Sequence, residues 1–242
     1  MEIFTQEGGA MLSRWGHYLA GVTWIGLLYY FNFVQTPSFA GFDPGARTES
    51  VRKLVPRALW WFRYGALLTL LTGIMILGFQ DQLSEPDYFK TPSGISISVG
   101  ILLALIMFAN VWMIIWPYQK IFIENAERTA AGQEALPNAA AAARKAACAS
   151  RTNTLFSIPM LFFMGATSHF APLFADGDGP EGGTRLTFWL ITLVLIVVIE
   201  AIALTAPAAG APQAWHIDNH RNTIIAGFVF AAVLILLFEV LF

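Results

Sequence analysis

Four histidines, His17, His169, His216 and His220, are the residues of this chain best suited to hold a metal centre. Imidazole nitrogens ligate haem iron and several bare metal ions, and the number of donors that meet decides which. His17 and His169 stand near the ends of two separate apolar runs. Each has a glycine one helical turn deeper, Gly21 after His17 and Gly165 before His169. A glycine there clears the helix face on which a flat ring would lie. Two histidines facing each other across a bundle supply both axial ligands of a b-type haem. Arg14, about one turn outward of His17, would pair with a propionate. A bare metal ion wants more donors, and only Thr167 and Ser168 lie close to His169 in sequence. The plainer alternative makes each histidine an interfacial residue hydrogen-bonded to a neighbour.

His216 and His220 are spaced i,i+4, so on a continuous helix they would share a face. That pair would bind one metal ion but not sandwich a haem. The alternative is an ordinary polar helix start, with Asn219 or Asn222 as its cap. A third group, Asn32, Arg63, Asn110 and Glu200, falls toward the other ends of the apolar runs from His17 and His169. A charge in hydrocarbon costs at least ~2.5 kcal/mol, so Arg63 and Glu200 must pair or face a wet cavity. No carboxylate lies at helical pairing distance from Arg63 along the sequence. These four are candidates for a substrate pocket, or they form an interhelical polar clamp.

The elements that position these residues are membrane helices. The chain has 242 residues, 56% hydrophobic and 12% charged, with a mean hydropathy of +0.59. Soluble domains carry roughly 25% charged residues, so about half of the usual solvated surface is missing. Spans need about 20 apolar residues, and six stretches qualify: 11–34, 58–79, 95–116, 153–170, 186–205 and 222–242. The expected fold is all-α, a single polytopic bundle over 1–242. A helical cytoplasmic arm occupies 118–152, divided at Pro137, and Pro159 is expected to kink the fourth span. Gly177, Gly179, Gly182 and Gly183 mark a mobile outer loop. The acidic N-terminal tail and long first run are wrong for a signal peptide, so the first helix is expected to be retained. One cysteine, Cys148, excludes an internal disulfide, and the net charge of −2 gives no sign of nucleic-acid binding.

Arg14, Lys90 and Arg185 lie on one side of the spans. Arg47, Arg52, Lys53, Arg57, Lys120, Arg128, Arg144, Lys145, Arg151 and Arg221 lie on the other. The cation-rich side is cytoplasmic by the positive-inside rule. His17 and His169 then share the outer side and a similar depth, and both termini face the periplasm of a Gram-negative inner membrane.

Four strings carry a family resemblance: SRWGHYLAGVTWIGLLYYFNF at 13–33, PRALWWFR at 56–63, NVWMIIWPYQK at 110–120 and SRTNTLFSIPMLFFM at 150–164. They resemble the membrane domain of cytochrome-c-linked urate oxidases, which also has a histidine where this chain has His169. The resemblance covers the first four helices well and the last two weakly. It implies haem b, urate oxidised on the cytoplasmic side, and electrons passed outward to a c-type cytochrome. The haem would be held by His17 and His169, with Gly21, Gly165 and Arg14 around it. This chain has no Cys-x-x-Cys-His, so the electrons are expected to leave through a separate carrier. A shorter motif, a first-helix histidine before Trp24-Ile25-Gly26, is similar to small haem-binding membrane oxidases of porphyrin synthesis. A non-catalytic haem anchor in a larger respiratory complex, or a transporter lined by Arg63 and Glu200, are the further alternatives.

Overall fold

A computed structural model describes residues 2–169 and 180–242. Within these the chain is helical, with no strand. Helix α1 (Gln6–Tyr29) starts at Thr5, whose hydroxyl accepts the Gly8 N–H at 3.2 Å. It continues through a π-helical segment, Tyr30–Gln35, into α2 (Thr36–Ala40). Next come α3 (Pro44–Lys53) and α4 (Val55–Phe79). Helix α5 (Pro92–Ala109) passes through a second π segment, Asn110–Ile115, into α6 (Trp116–Ala130). The rest is α7 (Ala139–His169), α8 (Gly182–Thr205), the short α9 (Trp215–Asp218) and α10 (His220–Leu241).

Both π segments have the same cause. The Thr36 and Trp116 amides donate to Phe31 and Val111, five residues back, immediately before Pro37 and Pro117. A proline lacks a donor, and its ring collides with the carbonyl four residues earlier. The wider turn makes room for that ring and re-aims the side chains of the segment.

Helix α7 is the hub and packs against α5, α6, α8 and α10. Its Thr152, Asn153, Thr154, Phe156 and Ser157 are all fully buried. Helices α1 and α4 form a tight pair, since a Cβ added at Gly65 would lie 3.2 Å from the Trp24 backbone nitrogen. Trp24, Phe62, Phe156, Phe163 and Phe188 fill the centre of the bundle. The outer faces are apolar instead of charged, with Leu68 and Leu71 on α4, Val194 and Val197 on α8, and Phe228 and Leu236 on α10 all exposed. Contiguous apolar surface of this extent belongs in lipid.

Six long helical rods are present among the described residues. Four stretches are long and apolar enough to cross a membrane: Pro44–Phe79, Pro92–Ala130, Gly182–Thr205 and His220–Leu241. The first rod and α7, expected as spans over 11–34 and 153–170, fall outside that group. In α7 the reason is its inward polar residues, which a central helix can satisfy with its neighbours. The arm expected at 118–152 is the continuation of α6 and the first half of α7. Helix α7 runs through Pro159 without ending. Gly182 and Gly183, expected in a loop, open α8, whereas Gly177 and Gly179 lie outside the described residues.

Candidate functional site

His17 is half-buried between α1 and α4. Its Nδ1 lies 3.2 Å from the Thr72 hydroxyl, and the Thr69 carbonyl is also close. Thr72 donates its own proton to the Leu68 carbonyl at 2.6 Å, so the imidazole is the donor toward Thr72. The edge of the ring rests on Gly73, where an added Cβ would lie 3.3 Å from Cε1. His169 is exposed at the end of α7, with Nδ1 3.1 Å from the Gly165 carbonyl, and a carbonyl can only accept. In both histidines Nδ1 is the nitrogen with a side-chain or carbonyl partner among the described residues. Iron-ligating histidines are oriented by such a bond on the second nitrogen. At Gly21 and at Gly165 an added Cβ would meet nothing within 4 Å.

The surroundings therefore fit the ligand chemistry of a haem. Nothing among the described residues crowds the two glycine faces. Among the described residues no hydrogen bond joins the outer halves of α1 and α4 to α5 or α7. The outer half of α7 is tied instead to α5, through Thr167 to the Ser93 carbonyl at 2.8 Å and Ser96 to the Phe163 carbonyl at 3.1 Å. Arg14 is partly buried near His17 and is in no ion pair among the described residues. No cluster of three or more His, Cys, Asp or Glu side chains suited to a bare metal ion is present among them either.

The inner half is stitched by polar side chains that meet on α7. Asn32, buried in the first π segment, donates Nδ2 to the Leu28 carbonyl at 2.9 Å and to the Ser150 hydroxyl at 2.8 Å. Asn110, buried at the start of the second, donates Nδ2 to Asn153 Oδ1 at 2.9 Å and Glu200 Oε2 at 3.2 Å. Asn153 donates in turn to the Met107 carbonyl at 2.9 Å. Tyr29 Oη lies 2.9 Å from Ser157 Oγ. The sequence reading named Asn32, Asn110 and Glu200 but assigned no role to Ser150, Asn153 or Ser157. Their signal was a polar stripe at helical spacing along one apolar helix.

The four inner candidates do not share one pocket. Arg63 neither pairs with Glu200 nor joins the asparagines; its guanidinium stacks 3.5 Å from the Trp116 ring centroid, with Trp112 and Tyr64 beyond. Asn32 lines a cavity of about 70 Å³, together with Gln35, Gln119, Ser150 and Arg151 against Phe31, Leu59 and Ile115, and Arg63, Asn110 and Glu200 do not line it. Gln35 Oε1 is buried there without a partner. The space holds a few waters as it stands.

His216 and His220 do not share a helix face. Asn219 between them is extended (φ −145°, ψ 159°) and caps α10 by accepting the Asn222 N–H at 3.0 Å. His216 Nε2 is buried without a partner among the described residues, and the His220 ring packs 6.3 Å from that of Phe33. Beside them, Arg144 pairs with Asp218 at 2.8 Å, and Arg151 donates to the Ile217 carbonyl at 2.9 Å. Burial works to raise the Asp218 carboxyl, but the Gly210 N–H and the Arg144 guanidinium outweigh it and hold it below the usual range. Burial, helped by the Asp218 charge, pushes the Cys148 thiol up against the opposing Arg144 and Arg151 charges, so this buried thiol serves packing.

A helical, lipid-exposed bundle with an inward polar hub is the architecture of a polytopic membrane protein. Residues 87–203 match the family model described as urate oxidase N-terminal, so this segment of the chain is similar to that family. No curated protein and no solved structure matches the chain.

Proposed function

We propose that the chain is the membrane-embedded electron-transfer part of a urate-oxidising system. It takes electrons from a substrate on the cytoplasmic side and passes them to a c-type cytochrome outside. His17 and His169 would hold one haem b, which supplies one-electron chemistry. The observation that supports this most is the shared state of the two imidazoles, each with Nδ1 engaged by a partner among the described residues. Thr72 and the Gly165 carbonyl set the tautomers, and Arg14 offers a cation to a carboxylate at the outer boundary. On the inner side, Arg151, Gln35 and Gln119 line the small cavity and would offer donors to an anionic group of the substrate.

A reduced-minus-oxidised spectrum with haem extraction tests the reading. His17→Ala or His169→Ala should each abolish a low-spin bis-histidine spectrum, whereas His216→Ala and His220→Ala should keep it. Haem content and spin state unchanged in both of the first two variants would exclude the assignment. Urate added to the oxidised protein with a competent c-type cytochrome should reduce the haem.

A second reading is a non-catalytic haem anchor within a larger complex. It is favoured by one observation: Asn32 and Asn110 each find separate hydrogen-bond partners within the protein, and Arg63 lies apart from both. Failure of urate to reduce an otherwise intact haem would select it. For topology we infer six spans with both termini outside, motivated by the loop charges. Reporter fusions at Gln80, Ala131 and the C-terminus should place Ala131 alone in the cytoplasm, and a cytoplasmic C-terminus would refute that arrangement.

A further inference from the structure

We propose that Arg63 and Lys120, both set over the ring of Trp116, form a binding site for the phosphate of an anionic phospholipid at the inner membrane boundary. This is independent of the haem reading. The guanidinium carbon of Arg63 lies 3.5 Å and the Lys120 ammonium 5.6 Å from the Trp116 ring centroid. Trp116 and Lys120 are one turn apart at the start of α6 and share a face, while Arg63 reaches them from α4.

Neither cation has an acidic partner among the described residues. Arg52, Lys53, Lys90 and Arg144 each have one, at 2.5 to 2.8 Å. Arg63 also makes no hydrogen bond to the protein among these residues, and its Nε is closed off without an acceptor. The aromatic face holds the guanidinium in place and contributes a cation–π attraction. It cannot satisfy the N–H fork, whose geometry matches two phosphate oxygens. A second cation within reach supplies the remaining charge.

The surroundings select a lipid over free phosphate. Trp60 and Trp61, on the same stretch of α4, are 47% and 60% exposed and ring-packed to each other at 5.0 Å. Amphipathic rings in that position sit at headgroup level with acyl chains beside them. A phosphate bound over Trp116 would thus be carried by a molecule whose tails lie along this apolar face.

The test is native mass spectrometry of the delipidated protein in detergent, titrated with phosphatidylglycerol and phosphatidylcholine. Wild type should prefer phosphatidylglycerol, and inorganic phosphate at equal concentration should not displace it. A cation near an anionic surface contributes enough that Lys120→Gln should weaken phosphatidylglycerol about fivefold, and Arg63→Gln with Lys120→Gln about thirtyfold. Phosphatidylcholine binding should not change. The proposal is overturned if a double variant with an unchanged helical circular-dichroism spectrum keeps the wild-type preference, or if inorganic phosphate displaces the lipid. Should the double variant not fold, the exposed Lys120 decides alone: an unchanged phosphatidylglycerol affinity in Lys120→Gln overturns the site.

Discussion

Asn153→Ala removes the junction of the inner polar layer, and its cost can be worked from the geometry. Asn153 is completely buried, accepts from Asn110 at 2.9 Å and donates to the Met107 carbonyl at 2.9 Å. Polar contacts between helices in a bilayer average about 0.6 kcal/mol and reach about 1.7. Two bonds therefore give about 1–3 kcal/mol. The upper part of that range applies because Asn110 Nδ2 is left with only the longer contact to Glu200, at 3.2 Å. The perturbation is to be read by titrating the purified protein from dodecyl maltoside micelles into sodium dodecyl sulfate and following helix loss. A cycle with Asn110→Ala isolates the shared bond. Both single variants should destabilise, and the double variant should recover about 0.6–1.7 kcal/mol relative to their sum. A coupling indistinguishable from zero would mean that the two amides do not depend on each other, and the account of a stitched inner half would fail.

Thr72→Val keeps the shape of that residue but deletes the hydroxyl that holds His17 Nδ1; if His17 ligates haem, affinity should fall about 10–100-fold with the helical spectrum intact, as measured by haem titration. Gly21→Leu enters space that the protein leaves empty, so the fold should tolerate it while haem content drops; full haem retention would move the cofactor off that face. Burial pushes the His216 imidazole below its ordinary value near 6.5, with Asp218 opposing. As pH falls below that value the unfolded chain takes a proton that the folded site resists, so stability should decline from about pH 7.5 to about 5.5. The Arg144–Asp218 pair stays charged in that window, because its carboxyl is held low. His216→Gln should flatten the slope in a thermal-melting series, and an unaltered slope would clear His216 of the effect.

The helical class and the rough positions of the long rods were legible in the sequence, because runs of about 20 apolar residues have few other uses. Several boundaries were not. The sequence reading began the fourth helix at 153, yet α7 starts at Ala139, since an alanine-rich arm and a polar-striped helix join without a breaker after Pro137. The π segments were hidden as well. The spans expected to close at 34 and 116 run on, because the turn before Pro37 and before Pro117 widens and the helix continues. The i,i+4 spacing of His216 and His220 was readable, but the extended backbone of Asn219 between them was not. Capping by Asn219 outcompetes a continuous helix at that point.

The fate of Arg63 shows which part of a site sequence can reach. Composition alone established that a cation in an apolar helix must find something, and that nothing on its own helix would serve. What it finds depends on the rotation of α4 against the rod of α5 and α6. Trp112 in the second π segment and Trp116 just after it both lie against Arg63 of α4. The same segment aims Asn110 the other way, into α7, where it meets Asn153 and Glu200. One widened turn thus separates two groups that lie close in sequence, and it divides the inner side into a lipid-facing aromatic box and a buried amide layer. The amide layer ties α1, α5 and α8 to α7 in their inner halves, while the outer halves of α1 and α4 keep no hydrogen bond to α5 or α7 among the described residues. A cofactor placed between His17 and His169 would then complete the half of the bundle that the side chains leave unstitched. If a haem is held there, its removal should loosen the outer ends of α1 and α7 in hydrogen exchange before it affects Asn153 and its neighbours.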